Sequence, residues 1–397
     1  MNFSGYEREN GSVGIRNYIA IIPSVVCSTN PAQKIADRIP DSVCLTHSYG
    51  CGHFGADWRR IVNILSGLGK NPNVAAALVI GLGCENVTAK GLAKEIEKTG
   101  KPVQFLDIQK AGGTQKTIQK GIEIASEMRA DADKLQRKSF DVEKLVLGLE
   151  CGGSDATSGI ITNPAVGVAS DAVVAAGGTS ILPEFIEWVG TERELAKRCV
   201  NPVDGELLIE LIDTFVGEAK KLGFDPRLIA PGNIKGGLTT IEEKSLGTVA
   251  KGGKAPIQGI LSYGEAPQGP GLWLMVEPGL DVESMIGMAA AGAQICTFTT
   301  GQGTPTGCAI MPVIKLAGNP ETIESMGDDI DMDASIILSG QETIDSFGQK
   351  ILKEIIDVAN GKPTVAEKYG HQEFAIWRMP LMFNLGGVAG KFARFFE

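Results

Sequence analysis

Short apolar segments with the character of buried strands alternate with helix-like segments along most of this chain. In the first part we predict strands at 18–25, 42–46, 75–80 and 103–108. Helical spacing of apolar residues marks the segments between them, as at 57–68. An alternating β–α order favours parallel sheets with helices on both faces. We therefore predict an α/β protein of two parallel-sheet, Rossmann-like domains, with an active crevice at the strand carboxyl ends.

The charged segment at 138–143 is the best candidate for a domain boundary. After it the alternation resumes, with a strand at 145–149 and a helix at 163–176. A chain of 397 residues is long for one ordinary core. We predict an N-terminal α/β domain over residues 1–140 and a C-terminal α/β catalytic domain over residues 141–397.

Composition excludes several classes of function. The net charge of −10 comes without a basic stripe, which argues against nucleic-acid binding. No apolar stretch reaches the roughly 18 residues that a membrane helix needs. The N-terminus has no signal-peptide pattern, and eight cysteines in so long a chain do not form a secreted disulfide framework. We expect a cytoplasmic protein with reduced thiols.

Four of the predicted strands are followed by a cysteine. Because the carboxyl ends of parallel strands meet at one edge of a sheet, these thiols can converge there with neighbouring carboxylates. Such donors suit a soft or borderline metal such as iron or zinc. The predicted metal ligands are Cys27, Cys51, Cys84, Glu85 and Cys151. The alternative is that each cysteine packs as a small hydrophobe, and the lack of a CxxC pattern argues against a structural zinc site.

Glycine-rich polar segments follow two strands of the second half. Consecutive glycines free backbone amides to bind an anion, and a helix start nearby favours negative charge. A substrate carboxylate would fit such a place. We predict substrate contacts from residues of these segments and one strand lysine: Gly152, Gly153, Ser154, Asp155, Asn163, Thr299, Thr300, Gly301, Gln302 and Lys315.

Two segments offer groups for proton transfer. Thr240 and Glu243 form a capping-box pattern, so the simplest interpretation there is a helix start. The sharper hypothesis makes the adjacent Lys244 an acid, a base or a substrate-binding group. His47, four residues before Cys51, is either a functional imidazole or part of a structural turn. We predict Lys244, His47 and Glu243 as catalytic residues.

Together these motifs resemble the altronate/galactarate dehydratase family nearly end to end. The resemblance rests on the following ordered motifs: Gly5-Tyr6, Val13 to Tyr18, Gly50-Cys51-Gly52, Asn71-Pro72-Asn73, Gly81 to Glu85, Cys151 to Asp155, Ser158-Gly159, Asn163-Pro164-Ala165, Glu242 to Gly247, Phe298 to Gly301 and Asp328 to Asp331. It implies a lyase that removes water from a polyhydroxy acid. It also implies a divalent metal, usually Fe²⁺, with Mn²⁺ or an iron–sulfur cluster as alternatives. In that chemistry a base takes the proton α to a carboxylate, and an acid helps the β-hydroxyl leave.

Two departures from the family pattern bear on substrate and partners. Single-chain members begin with a small β-rich domain, whereas this sequence starts at the catalytic part, as in two-subunit members that include sulfolactate sulfo-lyases. Gln302 stands where sugar-acid members carry arginine, and glutamine cannot form a charged fork to a carboxylate. The resemblance implies a metal-dependent hydro-lyase that dehydrates a sugar acid of the altronate or galactarate type to a 2-keto-3-deoxy acid. We also expect a small β-rich partner subunit and a homo-oligomeric state. The alternatives are a carbon–sulfur lyase that releases sulfite and a non-catalytic metal-binding scaffold subunit.

Overall fold

The computed structural model describes residues 1–221, 223, 225, 227–378 and 395. Its strands are β1 (Asn2–Glu7), β2 (Val13–Gly14), β3 (Tyr18–Pro23), β4 (Ser42–Cys44), β5 (Val74–Gly81), β6 (Val103–Asp107), β7 (Lys138–Asp141), β8 (Val146–Gly152), β9 (Thr179–Leu182), β10 (Ile257–Leu261), β11 (Gly271–Met275), β12 (Ile295–Thr300), β13 (Val313–Ala317) and β14 (Met332–Asp333).

Its α-helices are α1 (Thr29–Ala36), α2 (Gly55–Lys70), α3 (Ala89–Glu97), α4 (Ile108–Ala111), α5 (Thr114–Ala132), α6 (Asn163–Ala175), α7 (Glu192–Arg198), α8 (Pro202–Lys221), α9 (Pro231–Lys235), α10 (Ile241–Ala250), α11 (Asp281–Ala290), α12 (Pro320–Met326), α13 (Ile344–Ala359) and α14 (Val365–Tyr369). None of the helices described is long and apolar enough to cross a membrane.

Two parallel sheets form the framework. The first has four strands in the order β4-β3-β5-β6, and the second has seven in the order β10-β11-β9-β8-β12-β13-β14. All pairs within both sheets are parallel. Central strands are buried along their whole length, as β5 is, because helices cover both faces of a parallel sheet. The predicted α/β class with two parallel sheets is confirmed.

A small antiparallel sheet was not predicted. It has the order β2-β1-β7, and β1 pairs with β7 from Asn2 opposite Asp141 to Gly5 opposite Lys138. The sequence of β1 contains Ser4 and Gly5 and alternates weakly, so the pattern did not identify a strand there. The predicted boundary at residues 140 and 141 falls at the end of β7 and stays a prediction.

The apolar residues of the four-stranded sheet alternate between two cores. Ile19 and Ile21 face a small core under α1 and α5. Ala20 and Ile22 face the opposite side, where α2 and α3 continue into the large core of the second sheet. Successive side chains of a strand point to opposite faces, which produces this division. The α2 face of the first sheet is therefore the face joined to the rest of the molecule.

Helices α2 and α11 lie side by side and run in the same direction. The Arg60 guanidinium lies 4.5 Å from the Trp377 ring centre. The Trp377 amide donates to the Tyr263 hydroxyl (3.3 Å), which donates to the Glu283 carbonyl (2.8 Å). Toward the other end, a Cβ on Gly67 would lie 2.7 Å from the Ala290 carbonyl oxygen. Since each helix begins at the carboxyl edge of its own sheet, both carboxyl edges lie at the same end of the molecule.

Two asparagines of the loop between α2 and β5 join the sheets. Asn73 is fully buried; its side-chain oxygen accepts from the Ile15 amide (2.9 Å), and its nitrogen donates to the Gln294 and Ile310 carbonyls (2.8 Å each). The Asn71 nitrogen donates to two further carbonyls beside α11, at 2.7 and 2.8 Å. The Asn71-Pro72-Asn73 motif therefore has a structural role at the junction.

We predict that Asn73→Ala lowers the free energy of unfolding by at least about 3 kcal/mol, because it leaves several buried backbone groups without partners. Denaturant unfolding should show a lower midpoint. Asn63→Ala, at an exposed position on α2, is the matched control and should change stability by less than about 0.5 kcal/mol. Equal stability of the two variants would contradict the assignment of Asn73 as a joint.

Candidate active site

A thiol and two carboxylates meet at the carboxyl edge of the seven-stranded sheet. Cys151 lies near the end of β8, and Glu184 and Glu187 follow β9. The Cys151 sulfur is 3.2 Å from Glu184 Oε1 and 3.8 Å from Glu187 Oε2. All three residues are buried, and one ligand atom of each lies within 4.8 Å of the others. In the described part of the chain this is the one group of three or more metal-ligating side chains that is so compact.

Helix α10 and Lys251, the residue at its C-cap, present three polar side chains to this triad from one face. Lys244 Nζ lies 2.5 Å from Glu187 Oε1, and the Thr248 hydroxyl donates to Glu187 Oε2 (2.5 Å). Lys251 donates to Glu184 Oε2, and both residues of that pair are fully buried. Positions 244, 248 and 251 recur at the helical spacing of one face. Each glutamate thus holds a lysine on one oxygen and turns the other oxygen toward the thiol.

Acidic groups outnumber basic ones in this buried region. The carboxyl groups of Glu150, Glu184, Glu187 and Asp281 interact with Lys251 or Lys244, and Glu277 lies beside Glu184. Burial raises the pKa of Glu184 to about 7, of Glu277 to about 8 and of Asp281 to about 6. Burial and Glu184 raise the pKa of the Cys151 thiol to about 12. A cation placed at the triad would relieve this repulsion and favour the thiolate.

Two residues near the triad have an energetically unfavourable conformation or environment. Glu184 has a left-handed backbone (φ 72°, ψ 52°), which side chains other than glycine rarely adopt. Its backbone amide donates to the Glu277 carboxylate. Both carboxyl oxygens of Glu150 are buried without a hydrogen-bond partner, and burial with the nearby Glu184 holds the pKa of Glu150 well above its usual range. Such features concentrate at functional sites.

The donor set fits a divalent transition metal. Thiolate with two carboxylates is a borderline set that suits iron, manganese or zinc. The hydrogen bonds from Lys251, Lys244 and Thr248 would orient the two carboxylates from outside, as second-layer contacts do in metal sites. The excess of buried carboxyl groups supplies the charge that a dication would balance. Of the predicted metal ligands, Cys151 alone belongs to this group.

The other predicted ligands lie at the carboxyl edge of the four-stranded sheet. Cys27, Cys51 and Cys84 are exposed there. Glu85 is buried and already engaged, because it accepts from the Ser24 hydroxyl (2.9 Å) and from the Gly83 amide (2.6 Å). The carboxylate of Glu85 therefore braces two loops, and the ligand role predicted for it stays a prediction.

The predicted catalytic residues separate into one at the site and two outside it. Lys244 contacts Glu187 and so belongs to the site. Burial opposes its charge, but Glu187 and Cys151 outweigh burial and raise its pKa, so it is a cation at neutral pH. Glu243 is exposed and accepts from the Thr239 amide and hydroxyl (2.8 Å each), which is a capping role. These contacts support a helix start, and a catalytic role for Glu243 stays a prediction.

His47 is engaged at both ring nitrogens. Nε2 lies 2.7 Å from the Pro23 carbonyl, and Nδ1 accepts from the Tyr49 amide (3.1 Å). Burial lowers the pKa of His47 to about 4, so the ring is neutral. Proton transfer by His47 is therefore not supported, and the structural turn, the alternative from the sequence, accounts for it. His53 instead has a ring fixed by a 2.7 Å contact between Nδ1 and Asp57.

Two of the predicted substrate-binding residues, Asp155 and Asn163, make hydrogen bonds within the chain that support the fold. Asp155 accepts from Ser158 and Asn319, and Asn163 bonds to Thr299 and to the Gly247 carbonyl. The remaining predicted residues lie near the carboxyl edge of the seven-stranded sheet and differ in how far they are buried: Gly152, Gly153, Ser154, Thr300, Gly301, Gln302 and Lys315.

Among those, Ser154 contacts the triad itself, because its hydroxyl donates to the Cys151 sulfur (3.6 Å). Gly152 is close to Asp281, since a Cβ there would lie 2.1 Å from Asp281 Oδ2. Exposed Gln302 donates to the Gly232 carbonyl (2.9 Å). The Lys315 ammonium is buried and donates to the Thr304 carbonyl (3.1 Å), which indicates a structural role. Substrate contact by the residues that line the edge stays a prediction.

Several site residues were missed by the sequence reasoning: Glu184, Glu187, Thr248, Lys251, Glu277 and Asp281. The same rule that selected Cys151 could have found the acidic ones, since Glu184 and Glu187 follow β9 and Glu277 follows β11. Among the acidic residues, the prediction included only Glu85, which follows β5 in the same way. The spacing of Lys251 from Lys244 along α10 was a second signal, because residues seven apart share a helix face.

Comparison with known proteins agrees with the family resemblance. Residues 5–133 match the model for the second domain of D-galactarate dehydratase/altronate hydrolase, and residues 142–381 match the model for the C-terminal region of D-galactarate/altronate dehydratase. The (2R)-sulfolactate sulfo-lyase subunit beta of Chromohalobacter salexigens is 39% identical over 95% of this chain and 97% of its own length.

Two further relatives carry dehydratase names. The altronate dehydratase of Bacillus subtilis is 34% identical over 95% of this chain and 77% of its own length. The galactarate dehydratase (L-threo-forming) of Escherichia coli is 34% identical over 94% of this chain and 76% of its own length. The order of the motifs, the two matched models and the triad at the strand edge lead to one conclusion: the chain belongs to the D-galactarate/altronate dehydratase family and is an enzyme of the lyase class.

Proposed function

We propose that this chain is a metal-dependent hydro-lyase that dehydrates a sugar acid of the altronate or galactarate type to a 2-keto-3-deoxy acid. The observation that carries the proposal is the buried triad of Cys151, Glu184 and Glu187, flanked by Lys244 and Lys251 at a strand carboxyl edge. The two dehydratase relatives support this substrate class.

Cys151, Glu184 and Glu187 would hold the metal, with Fe²⁺ as the expected ion and Mn²⁺ as an alternative. When bound, a divalent ion acts as a Lewis acid that stabilises negative charge on the substrate's oxygens. Lys251 fixes the orientation of Glu184, and Thr248 that of Glu187.

Proton transfer needs a base for the α-proton and an acid for the departing hydroxyl. Asp281 suits the base, because its pKa of about 6 lies near neutrality and its side chain is only partly covered. Lys244 suits the acid, because it carries a proton at neutral pH and is partly exposed beside Glu187. The acid role narrows the earlier hypothesis for Lys244, which left acid and base open.

A carbon–sulfur lyase is the second candidate. The sulfo-lyase relative matches along nearly its whole length. In addition, Gln302 stands where sugar-acid members carry an arginine, and glutamine cannot form the charged, two-pronged contact that arginine makes with a carboxylate. The same α-proton abstraction would then expel sulfite in place of water. The third candidate, a metal-binding scaffold subunit without chemistry of its own, would contain the triad but show no turnover.

We predict release of a 2-keto-3-deoxy acid from a panel of sugar acids by the anaerobically purified chain supplied with Fe²⁺. Sulfite release from sulfolactate, without keto-acid formation from any sugar acid, would establish the second candidate. Absence of both reactions, even with a partner subunit present, would leave the scaffold role. Cys151→Ser should lower bound metal and turnover together, with Cys199→Ser, at a half-buried position, as the control.

We predict that Lys244→Met lowers kcat at least ~100-fold, the usual scale for a general acid or base, while metal content and the unfolding midpoint change little. Lys220→Met, on the exposed face of α8, is the control and should keep the full rate. A near-normal rate for Lys244→Met would remove Lys244 from the mechanism. Chemical rescue by small amines in the variant would support the acid role.

A small β-rich partner subunit is the proposed cover of this edge. Apolar side chains around the site are exposed, namely Ile160 at 61%, Leu246 at 64% and Leu280 at 50%. Leu246 follows Lys244 closely, and Leu280 precedes Asp281. The relative named as a subunit beta supports a two-subunit assembly. The homo-oligomeric state and the cytoplasmic location remain predictions.

The chain termini, with Tyr6 at one and Phe392, Phe395 and Phe396 at the other, are the other candidate contacts for a partner subunit. Tyr6 lies against its own chain, with the Arg137 guanidinium 4.9 Å from its ring centre. Phe395 is buried in the chain, and Phe392 and Phe396 lie outside the described residues. The exposed side chains beside the triad are therefore a better candidate surface than Tyr6 or Phe395.

We predict that the small subunit encoded in the same genome co-purifies with the tagged chain and raises the rate or the substrate affinity. Leu246→Asp should weaken this association at least tenfold, because a charge would enter an apolar contact. Leu338→Asp, at another exposed apolar position, is the control. Full activity of the chain alone, with no increase on addition of the subunit, would contradict the need for a cover.

A further inference from the structure

The three exposed thiols of the four-stranded sheet form a set that the triad does not use. Cys27, Cys51 and Cys84 follow β3, β4 and β5, which are neighbours in the sheet order β4-β3-β5. The other five cysteines are buried or half-buried. Parallel strands bring their carboxyl ends to one edge, so the three loops share a single end of the sheet.

Backbone hydrogen bonds join the three loops to one another. The Val26 amide donates to the Tyr49 carbonyl (2.8 Å), and the Val87 amide donates to the Gly50 carbonyl (3.2 Å). Gly50 has φ +107°, and a Cβ there would lie 2.1 Å from the Ser24 carbonyl oxygen, so the second loop is pressed onto the first. Cys27 and Cys51 are each adjacent in sequence to a residue of these contacts. The loops that carry the thiols are therefore held together as a unit.

Charged side chains brace the same loops from beneath. The Glu85 carboxylate connects Ser24 of the first loop to Gly83, the residue before Cys84. His53 is held by Asp57, and Asp57 is held by Arg378 through two contacts of 2.8 Å. Within the described residues, none of the three thiols has a hydrogen-bond partner. A rigid support beneath three unpartnered thiols is typical of a site that receives a ligand.

The three sulfur atoms, as the structure places them, do not form a group compact enough for one ion. A tetrahedral ion with sulfur at about 2.3 Å draws its thiolates to within about 4 Å of one another. Among the described residues no group containing these cysteines has three ligand atoms within 4.8 Å. An iron–sulfur cluster is larger, and its cysteines bind separate iron corners. Exposed apolar side chains beside the thiols, Val26, Phe54 and Trp58, suit the partly dry surroundings of such a cluster.

We propose that Cys27, Cys51 and Cys84 bind a cubane iron–sulfur cluster whose fourth iron is not ligated by a cysteine of this set. Since α2 and α11 run in parallel, the cluster lies at the same end of the molecule as the Cys151 triad. An iron without a thiolate can take an oxygen ligand, and the carboxylate or hydroxyl of a small hydroxy acid offers one. The inference concerns cluster binding and stands apart from the identity of the substrate.

The test measures iron and acid-labile sulfide in the anaerobically purified chain, without reference to activity. We expect about four sulfides per chain, with about four irons for the cubane cluster and one more where the Cys151 triad is filled with Fe²⁺. The visible absorption should bleach on reduction. The triple variant Cys27→Ser/Cys51→Ser/Cys84→Ser should lose the sulfide at least fivefold. Cys151→Ser and Cys199→Ser should keep it. Iron without sulfide, or sulfide unchanged in the triple variant, would overturn the proposal.

A second measurement covers the case in which the triple variant does not fold. The unaltered chain is treated with iodoacetamide under nitrogen before and after removal of iron by a chelator with an oxidant, and the labelled cysteines are identified by mass spectrometry. We expect Cys27, Cys51 and Cys84 to be protected at first and labelled after iron removal. Rapid labelling of all three in the freshly purified, iron-containing chain would show that they hold no cluster.

Discussion

The ion pair between Lys251 and Glu184, with neither residue exposed, is the interaction on which the catalytic edge depends. Two charges out of water are stable only when each compensates the other, and removal of one partner leaves an uncompensated charge. Lys251 is the deeper of the two cations among five carboxyl groups. It fixes Glu184, which in turn approaches Cys151 and donates its backbone amide to Glu277. The geometry of the triad therefore follows from this one buried pair.

The class of fold was predictable because parallel strands buried on both faces leave continuous apolar runs such as Val74–Gly81. The strand Asn2–Glu7 was not, since its partner Lys138–Asp141 is remote in sequence and both are polar. Cys151 and Lys244 were identified from local motifs. Glu184, Glu187 and Asp281 were not, because a carboxylate near a strand end is common, and only burial beside a thiol distinguishes these.

The contacts divide the residues of the family motifs into those of the active site and those that support the fold. Cys151 belongs to the site, whereas Asn71 and Asn73 join the two sheets and Asp155 closes a loop. The same holds for His47: a histidine close to a cysteine suggested proton transfer, yet backbone groups contact both of its ring nitrogens. Spacing along the chain cannot reveal which hydrogen bonds are already made, and that information decides whether a polar side chain can act.

The left-handed backbone of Glu184 sets folding and function against each other at a single position. Glycine or asparagine there would relax the backbone, and either would also remove a buried carboxylate whose burial is costly. A chain selected for thermal stability alone would therefore be expected to lose Glu184 early. At Glu184 this enzyme keeps a residue that lowers folding stability but serves the active site. A stabilised version of the protein therefore has to gain its stability at other positions.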